Sequence, residues 1–231
     1  MVIQERDRGL LRCCYEQQFL LMEQVARYFF GGGNRSASYR RIKKLESGGL
    51  LRRERHSVLG GREIIRLTRQ GIELAQTLSP ALVPQLGKVP LATLAHDALV
   101  ASVRLRLEEL WTGTWVSERA LKPESFEQVP DGLFIFPSGK KVAVEVETSP
   151  KGKARLMDHL ASWARKQNGE RLFLVLYITP DPGIERLLRR CIEESASQVP
   201  IAVVSWPELD TNMPLAWTVK GEIDLFSRKE I

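Results

Sequence analysis

The 231-residue sequence predicts an α+β / α/β chain in two parts, a small helical domain ending in a β-hairpin and then a mixed sheet flanked by helices. Three observations predict it. Lys and Arg outnumber Asp and Glu by 15 to 8 over residues 1–80, whereas residues 81–231 hold 19 against 20. Ser79 to Pro90 carries three prolines and a glycine, a composition that interrupts helices and reads as a linker. Beyond it, apolar strand-like runs alternate with helical spacing. The expected division is therefore residues 1–79, a linker at 80–90, and 91–231. The 43% hydrophobic and 27% charged content fits a globular chain. No run of 18 apolar residues exists, and the N-terminus MVIQERDRGLLRCC lacks a signal-peptide core, so a cytoplasmic protein without a membrane partner is expected. Cys13, Cys14 and Cys191 show neither CxxC nor zinc spacing and are expected to be buried thiols.

In the first part, Leu10, Leu11, Cys14 and Phe19 can share a stripe on a helix over 5–19. A second helix over 21–30 turns Met22, Val25, Ala26 and Phe29 inward and stops at Gly31-Gly32-Gly33. That triplet lacks the Lys-Ser/Thr of a phosphate-cradling loop. Asn34 or Ser36 caps a third helix reaching about Glu46, which Gly48-Gly49 ends. Leu50 to His56 and Glu63 to Leu67 are strand candidates around Gly60-Gly61, and a helix over Arg69 to Leu78 follows. Three helices and then a basic hairpin is the order of a winged helix-turn-helix.

The third helix has two faces. Ser38, Arg41, Ile42 and Leu45 fall on one side, while Ser36, Tyr39, Arg40 and Lys43 follow helical spacing on the other. The segment Arg35 to Arg66 holds ten basic residues and three acids. Such a surface suits phosphates and base edges of double-stranded DNA. The expected contacts are Arg35, Ser36, Tyr39, Arg40, Lys43 and Lys44 on the helix, with Arg52, Arg53, Arg55 and Arg62 on the hairpin.

In the second part, Leu91 to Trp111 is a long helix with Leu99, Val103, Leu107 and Leu110 as its stripe. Trp115 to Leu121, Asp131 to Phe136 and Lys141 to Glu147 read as strands, and Lys153 to Gln167 as a helix. Arg171 to Ile178 is the most apolar segment and so a central buried strand. A helix over Ile184 to Glu194, a strand over Ile201 to Trp206 and a short strand near Trp217 complete the order αβββαβαβ.

Val142, Val144 and Val146 alternate on one face of their strand, which puts Glu145 and Glu147 together on the other. Carboxylates in so apolar a run are costly unless compensated. A hairpin loop of three residues is expected to set Asp131 opposite Glu147 and gather all three acids, whereas a loop of two turns Asp131 away unless a bulge forms at Gly132. Gathered oxygens of this kind suit Mg²⁺ or Mn²⁺, which polarises a phosphodiester and activates water. No Ser/His/Asp or Cys/His set emerges; His96 reads as a structural histidine, and His56 at the wing and His159 on a helix face have no partner visible in the sequence.

Pro130-Asp131, followed by Glu145-Val146-Glu147 in a strand, resembles the PD-(D/E)xK signature of restriction-endonuclease-like folds. Together with RRIKKLESGGLLRRER, GREIIRLTRQG, LAHDALV and the VPDG…VAVEVE block, it makes nearly the whole chain similar to the replication-relaxation family of plasmid and mobile-element proteins. That resemblance implies Asp131 and Glu145 as metal-binding acids, with Glu147 where lysine usually stands. Lys153 is the expected substitute cation, Glu108 or Glu109 an added carboxylate, and Arg155, Arg165 and Lys166 a cationic lining. The leading reading is a DNA-binding protein of a mobile element whose second domain is nuclease-like. Its rivals are a Mg²⁺- or Mn²⁺-dependent DNA endonuclease targeted by the winged helix, and a transcription regulator whose second domain forms a homodimer.

Overall fold

The computed structural model describes residues 2–32, 35–79, 89–121, 129–165, 172–195 and 199–226, with Ala164 and Arg165 as backbone only. Lys166 and most of the expected linker lie outside the described residues. The chain divides into two units, Met1–Ser102 and Val103–Ile231.

Unit 1 opens with α1 (Glu5–Gln17), β1 (Leu20–Leu21) and α2 (Met22–Gln24), which runs into a π-helical turn at Val25–Phe29. Next come α3 (Arg35–Ser47), β2 (Leu51–His56), a 3₁₀ turn (Ser57–Leu59), β3 (Arg62–Leu67) and α4 (Arg69–Leu78). The sheet order is β1-β3-β2, all antiparallel. Ser38, Ile42 and Leu45 turn α3 inward, and the helix stops where Gly49 takes φ 73°, so that Leu50 N–H closes on Leu45 O at 3.0 Å. β1 went unforeseen because two residues carry no alternation to read.

The unit boundary differs from the expected one, and the packing explains why. Leu94 and Ala98, on the first turns of α5 (Leu94–Leu110), are buried with Phe19, Leu21, Leu59 and Ile64. Gln24 Nε2 donates to Ala98 O and to Ser102 Oγ, both at 2.7 Å. The division therefore falls inside α5 rather than at the prolines. A helix serving two cores needs no single stripe: Val100, Val103, Leu105 and Leu107 are all buried, while the expected Leu99 is only half-buried.

Unit 2 adds β4 (Thr114–Ser117), a 3₁₀ turn at Glu118–Ala120, β5 (Gly132–Ile135), β6 (Lys141–Val146), α6 (Lys153–Arg165), β7 (Leu172–Thr179), α7 (Pro182–Glu194) and β8 (Ile201–Ser205). The unexpected α8 (Trp206–Leu209) precedes β9 (Leu215–Thr218) and β10 (Gly221–Asp224). The seven strands lie in the order β10-β9-β8-β7-β6-β5-β4. β6, β7 and β8 are parallel, and both flanks are antiparallel. This is a mixed α+β architecture.

Ala143, Val175 and Tyr177 on one face are buried with Leu156, Leu160 and Trp163 of α6 and with Ile184, Leu188 and Ile192 of α7. On the other side Trp111 meets Phe134 and Phe136 at centroid distances of 5.2 and 5.3 Å. α7 starts two residues ahead of expectation because Asp181 caps it, accepting from Gly183 N–H at 2.6 Å and Ile184 N–H at 3.1 Å, with Pro182 at the first position. All three cysteines are buried and none forms a disulfide. Among the described residues no helix is long and apolar enough to cross a membrane.

Candidate functional site

Two places in the molecule concentrate charge, one in each unit. In unit 1, Arg41 of α3 donates from Nε to buried Asp7 at 3.0 Å and from Nη2 to its other oxygen, while Asp7 also accepts from Gln4 N–H at 2.8 Å. The hydrogen bond to Asp7 raises the Arg41 pKa further, outweighing partial burial. This pair ties α3 to α1, and the remaining polar surface of α3 is left to solvent. Arg35, Ser36, Arg40, Lys43 and Lys44 are exposed there, and Tyr39 is half-buried. Arg40, Lys43 and Lys44 form no ion pair with the described residues.

The hairpin arginines differ. Arg52 pairs with Glu54 at 2.9 Å, Arg53 with Glu46 at 2.8 Å, Arg55 with Glu63 at 3.1 Å, and Arg62 with Glu23. Tyr39 Oη donates to Glu63 at 3.1 Å, so Glu63 links the hairpin to α3. Burial alone raises the Glu63 carboxyl, but the hydrogen bonds from Tyr39 and Arg55 outweigh it and hold the group below its ordinary value. Each of the four hairpin cations expected to meet DNA thus has a carboxylate partner.

In unit 2 the acids sit where β5 and β6 end. Ile135 pairs with Lys141, and Phe136 N–H donates to Lys140 O at 2.9 Å, so the hairpin loop is Pro137-Ser138-Gly139. The loop has three residues, as one expectation had it, but the partner differs. Gly132 pairs with Val144, so the next place sets Asp131 opposite Glu145 rather than Glu147. Opposed residues share a face, and Asp131 therefore emerges with Glu145 and Glu147. No bulge is needed at Gly132; the register shift lies between β6 and β7 at Lys141/Val142. Gly132 has another duty, since a Cβ there would stand 1.9 Å from the Trp115 ring.

The three carboxylates have different partners. Asp131 Oδ2 accepts from Val146 N–H at 2.7 Å, extending the strand ladder with a side chain. Glu147 holds Lys151 Nζ at 2.6 Å. Glu145, 7% exposed, has a buried Oε1 without a hydrogen-bond partner. Burial first, and then the neighbouring charges of Asp131 and Glu147, push its carboxyl well above the usual range against the pull of Lys151. Among the described residues no three His, Cys, Asp or Glu side chains are gathered as a metal-holding group.

Other expected residues lie elsewhere. Lys153 pairs with Glu194, its Nζ 2.7 Å from Oε2, and so is not the cation beside the acids. That place belongs to Lys151, which sequence reading passed over because it sits in an irregular turn. Glu108 and Glu109 pair with Arg104 and Arg106. Glu118 instead reaches Glu145, raising its pKa, and its N–H donates to Asp131 O at 3.3 Å. His96 lies 3.3 Å from its neighbour Asp97, in unit 1.

The apolar strand β7 also contributes. The register sets Tyr177 beside Glu145. Trp163 Nε1 donates to Tyr177 Oη at 3.1 Å, and that oxygen lies 2.9 Å from His159 Nδ1. Burial, with help from Lys151, lowers the His159 pKa to about 4, so the ring is neutral at physiological pH. Three carboxylates thus end on one face of the sheet, with the Lys151 ammonium on Glu147 and the neutral His159 imidazole nearby. Carboxylate oxygens are the ligand type that hard divalent cations take, and the Glu145 Oε1 is the one left buried without a hydrogen-bond partner. No family model, curated protein or solved structure matches the chain.

Proposed function

We propose that the protein binds double-stranded DNA through unit 1, with α3 as the groove-reading helix of a winged helix-turn-helix. The observation that carries this reading is the outer face of α3, where Arg40, Lys43 and Lys44 stand exposed without acidic partners on a helix anchored from behind by Ile42, Leu45 and Arg41. The order α1-β1-α2-α3-β2-β3, with its hairpin linked to α3 through Glu63, supports the same reading. A role in replication, mobilisation or regulation of a plasmid or mobile element rests on the replication-relaxation resemblance of the sequence. Salt titration of duplex affinity tests the binding: Arg40→Ala and Lys43→Ala should each weaken it and flatten the salt slope by about one where the residue contacts backbone. Unchanged binding by both variants rejects α3 as the docking helix.

Glu145 favours a second reading, a Mg²⁺- or Mn²⁺-dependent DNA endonuclease. The succession α5-β4-β5-β6-α6-β7 supports a restriction-endonuclease-like core. A buried carboxylate with an unpartnered oxygen, next to Asp131, is chemically suited to hold a divalent ion. Asp131 and Glu145 would hold it, and the ion would supply Lewis-acid activation of a phosphodiester and of water. Lys151, poised on Glu147, would steady negative charge as it develops on the phosphoryl oxygens. Plasmid nicking with Mg²⁺ or Mn²⁺ is the test, beside an Asp131→Ala/Glu145→Ala double variant. Equal nicking by the two proteins rejects this site.

A further inference from the structure

The β2–β3 hairpin carries five arginines: Arg52, Arg53, Arg55 and Arg62 are each bound to a carboxylate within unit 1, and Arg66 lies 3.7 Å from the Glu54 that Arg52 also holds. A paired arginine brings little net charge to a phosphate, because its field is already cancelled at short range and binding must divide or break the pair. The unpaired charge lies elsewhere. An open depression of about 1040 Å³ runs between α3 and the first turn of α1, bordered by Gln4, Arg6, Arg40, Lys43, Lys44 and Ser47. Among the described residues no acidic side chain lines it. Arg41 also reaches its wall, but its guanidinium is committed to Asp7 and serves to hold the two helices in place. Arg6 is exposed and already oriented, stacked 4.0 Å over the Phe30 ring and donating to Gln4 Oε1 at 3.0 Å. A guanidinium held in this way loses little side-chain freedom when it meets an anion.

We infer that the backbone phosphates of duplex DNA are gripped at this depression, by Arg6 together with Lys44, and that the hairpin arginines contribute little to binding. The inference rests on the reading of unit 1 as a DNA-binding module and reassigns where its affinity arises. Charge complementarity selects the occupant: Arg6, Arg40, Lys43 and Lys44, which form no ion pair among the described residues, border a trough open enough for a phosphodiester strand. The carboxylates on the hairpin then act as brakes, so releasing one arginine should strengthen binding.

The test is a salt titration of the full-length protein on a short labelled duplex of random sequence. Arg6→Ala and Lys44→Ala are compared with Arg52→Ala, Arg55→Ala and Glu23→Gln. Arg6→Ala and Lys44→Ala should each reduce the salt slope by about one and weaken binding several-fold at low salt. Arg6→Lys should keep the slope, which separates lost charge from a disturbed fold. Arg52→Ala and Arg55→Ala should leave the slope essentially unchanged, and Glu23→Gln, by releasing Arg62, should tighten binding. If the hairpin variants lose slope while Arg6→Ala and Lys44→Ala do not, this assignment is overturned and the DNA-binding reading stands. If the wild-type protein shows no salt-dependent duplex binding, or prefers an RNA duplex through the same cations, both fall together.

Discussion

Asp7 in unit 1 and Glu145 in unit 2 are carboxylates buried to similar depth, 1% and 7% exposed, and the fold treats them in opposite ways. Asp7 receives two guanidinium N–H groups from Arg41 and a backbone N–H from Gln4. Glu145 sits among Asp131, Glu147 and Glu118, and the nearest cation, Lys151, is spent on Glu147. Removing a charge from water costs several kcal/mol unless protein groups replace the lost hydration. Asp7 has that replacement and is architecture, fastening α1 to α3. Glu145 lacks it among the described residues, and its carboxyl is held well above the usual range as a result. Buried charge alone therefore says little; how it is compensated separates scaffold from candidate chemistry.

The sharpest way to break this comparison is to delete both carboxylates and look for opposite signs. Asp7→Ala leaves Arg41 without its partner and should cost about 3 kcal/mol in urea unfolding. A loss below about 1 kcal/mol would mean that water already screens the pair. Glu145→Gln should instead stabilise the metal-free protein at pH 7, by about 1–2 kcal/mol, because the cost of burying an uncompensated carboxyl, whether as a charge or through the uptake of a proton, disappears. The pH dependence follows from the direction of the shift. The folded state holds the Glu145 proton more tightly than the unfolded chain does, so wild-type stability falls as pH rises from the ordinary carboxylate range through the raised value. The advantage of the variant should vanish in acid, and a destabilised Glu145→Gln at every pH would remove Glu145 from the list of unsatisfied groups.

His159 sharpens the same contrast with a smaller effect of opposite slope. Its folded pKa of about 4 lies below the ordinary 6.5, so the unfolded chain binds the proton first and stability falls as pH drops through that window. Allowing for partial exposure, about 1 kcal/mol is expected between pH 7 and pH 4, and His159→Gln should flatten that part of the curve. Unfolding midpoints measured across the window would show it, and parallel curves for the two proteins would place the lost stability elsewhere. Smallest should be the hairpin ion pairs. Arg53→Ala and Arg55→Ala, which cut partly exposed pairs with Glu46 and Glu63, should each cost about 0.5 kcal/mol or less. A loss near that of Asp7→Ala would show these pairs to be desolvated after all.

Much of the fold was legible residue by residue. α4 runs from Arg69 to Leu78 as its spacing foretells, and β7 is the buried central strand that its unbroken apolar run implies. Alternation placed Glu145 and Glu147 on one face of β6, because a strand's period of two leaves no choice once Val142, Val144 and Val146 are inward. The unit boundary was not legible. Prolines mark where a chain is irregular, whereas the division depends on Leu94 and Ala98 finding Phe19 and Ile64 across the sequence. β1, α8 and β10 are too short to carry a period.

What the sequence determined by itself is local and periodic: which segments are helix or strand, which way each side chain points, and the concentration of cations between Arg35 and Arg66. Only the tertiary structure decided which charges meet. It gave Arg53 to Glu46, Arg62 to Glu23 and Lys153 to Glu194, and it set Asp131 across from Glu145 with Lys151 beside Glu147. The reason is range. Helical and strand periods act over a few residues, but an ion pair needs two side chains brought within about 4 Å, and only the packing of elements distant in sequence sets that distance.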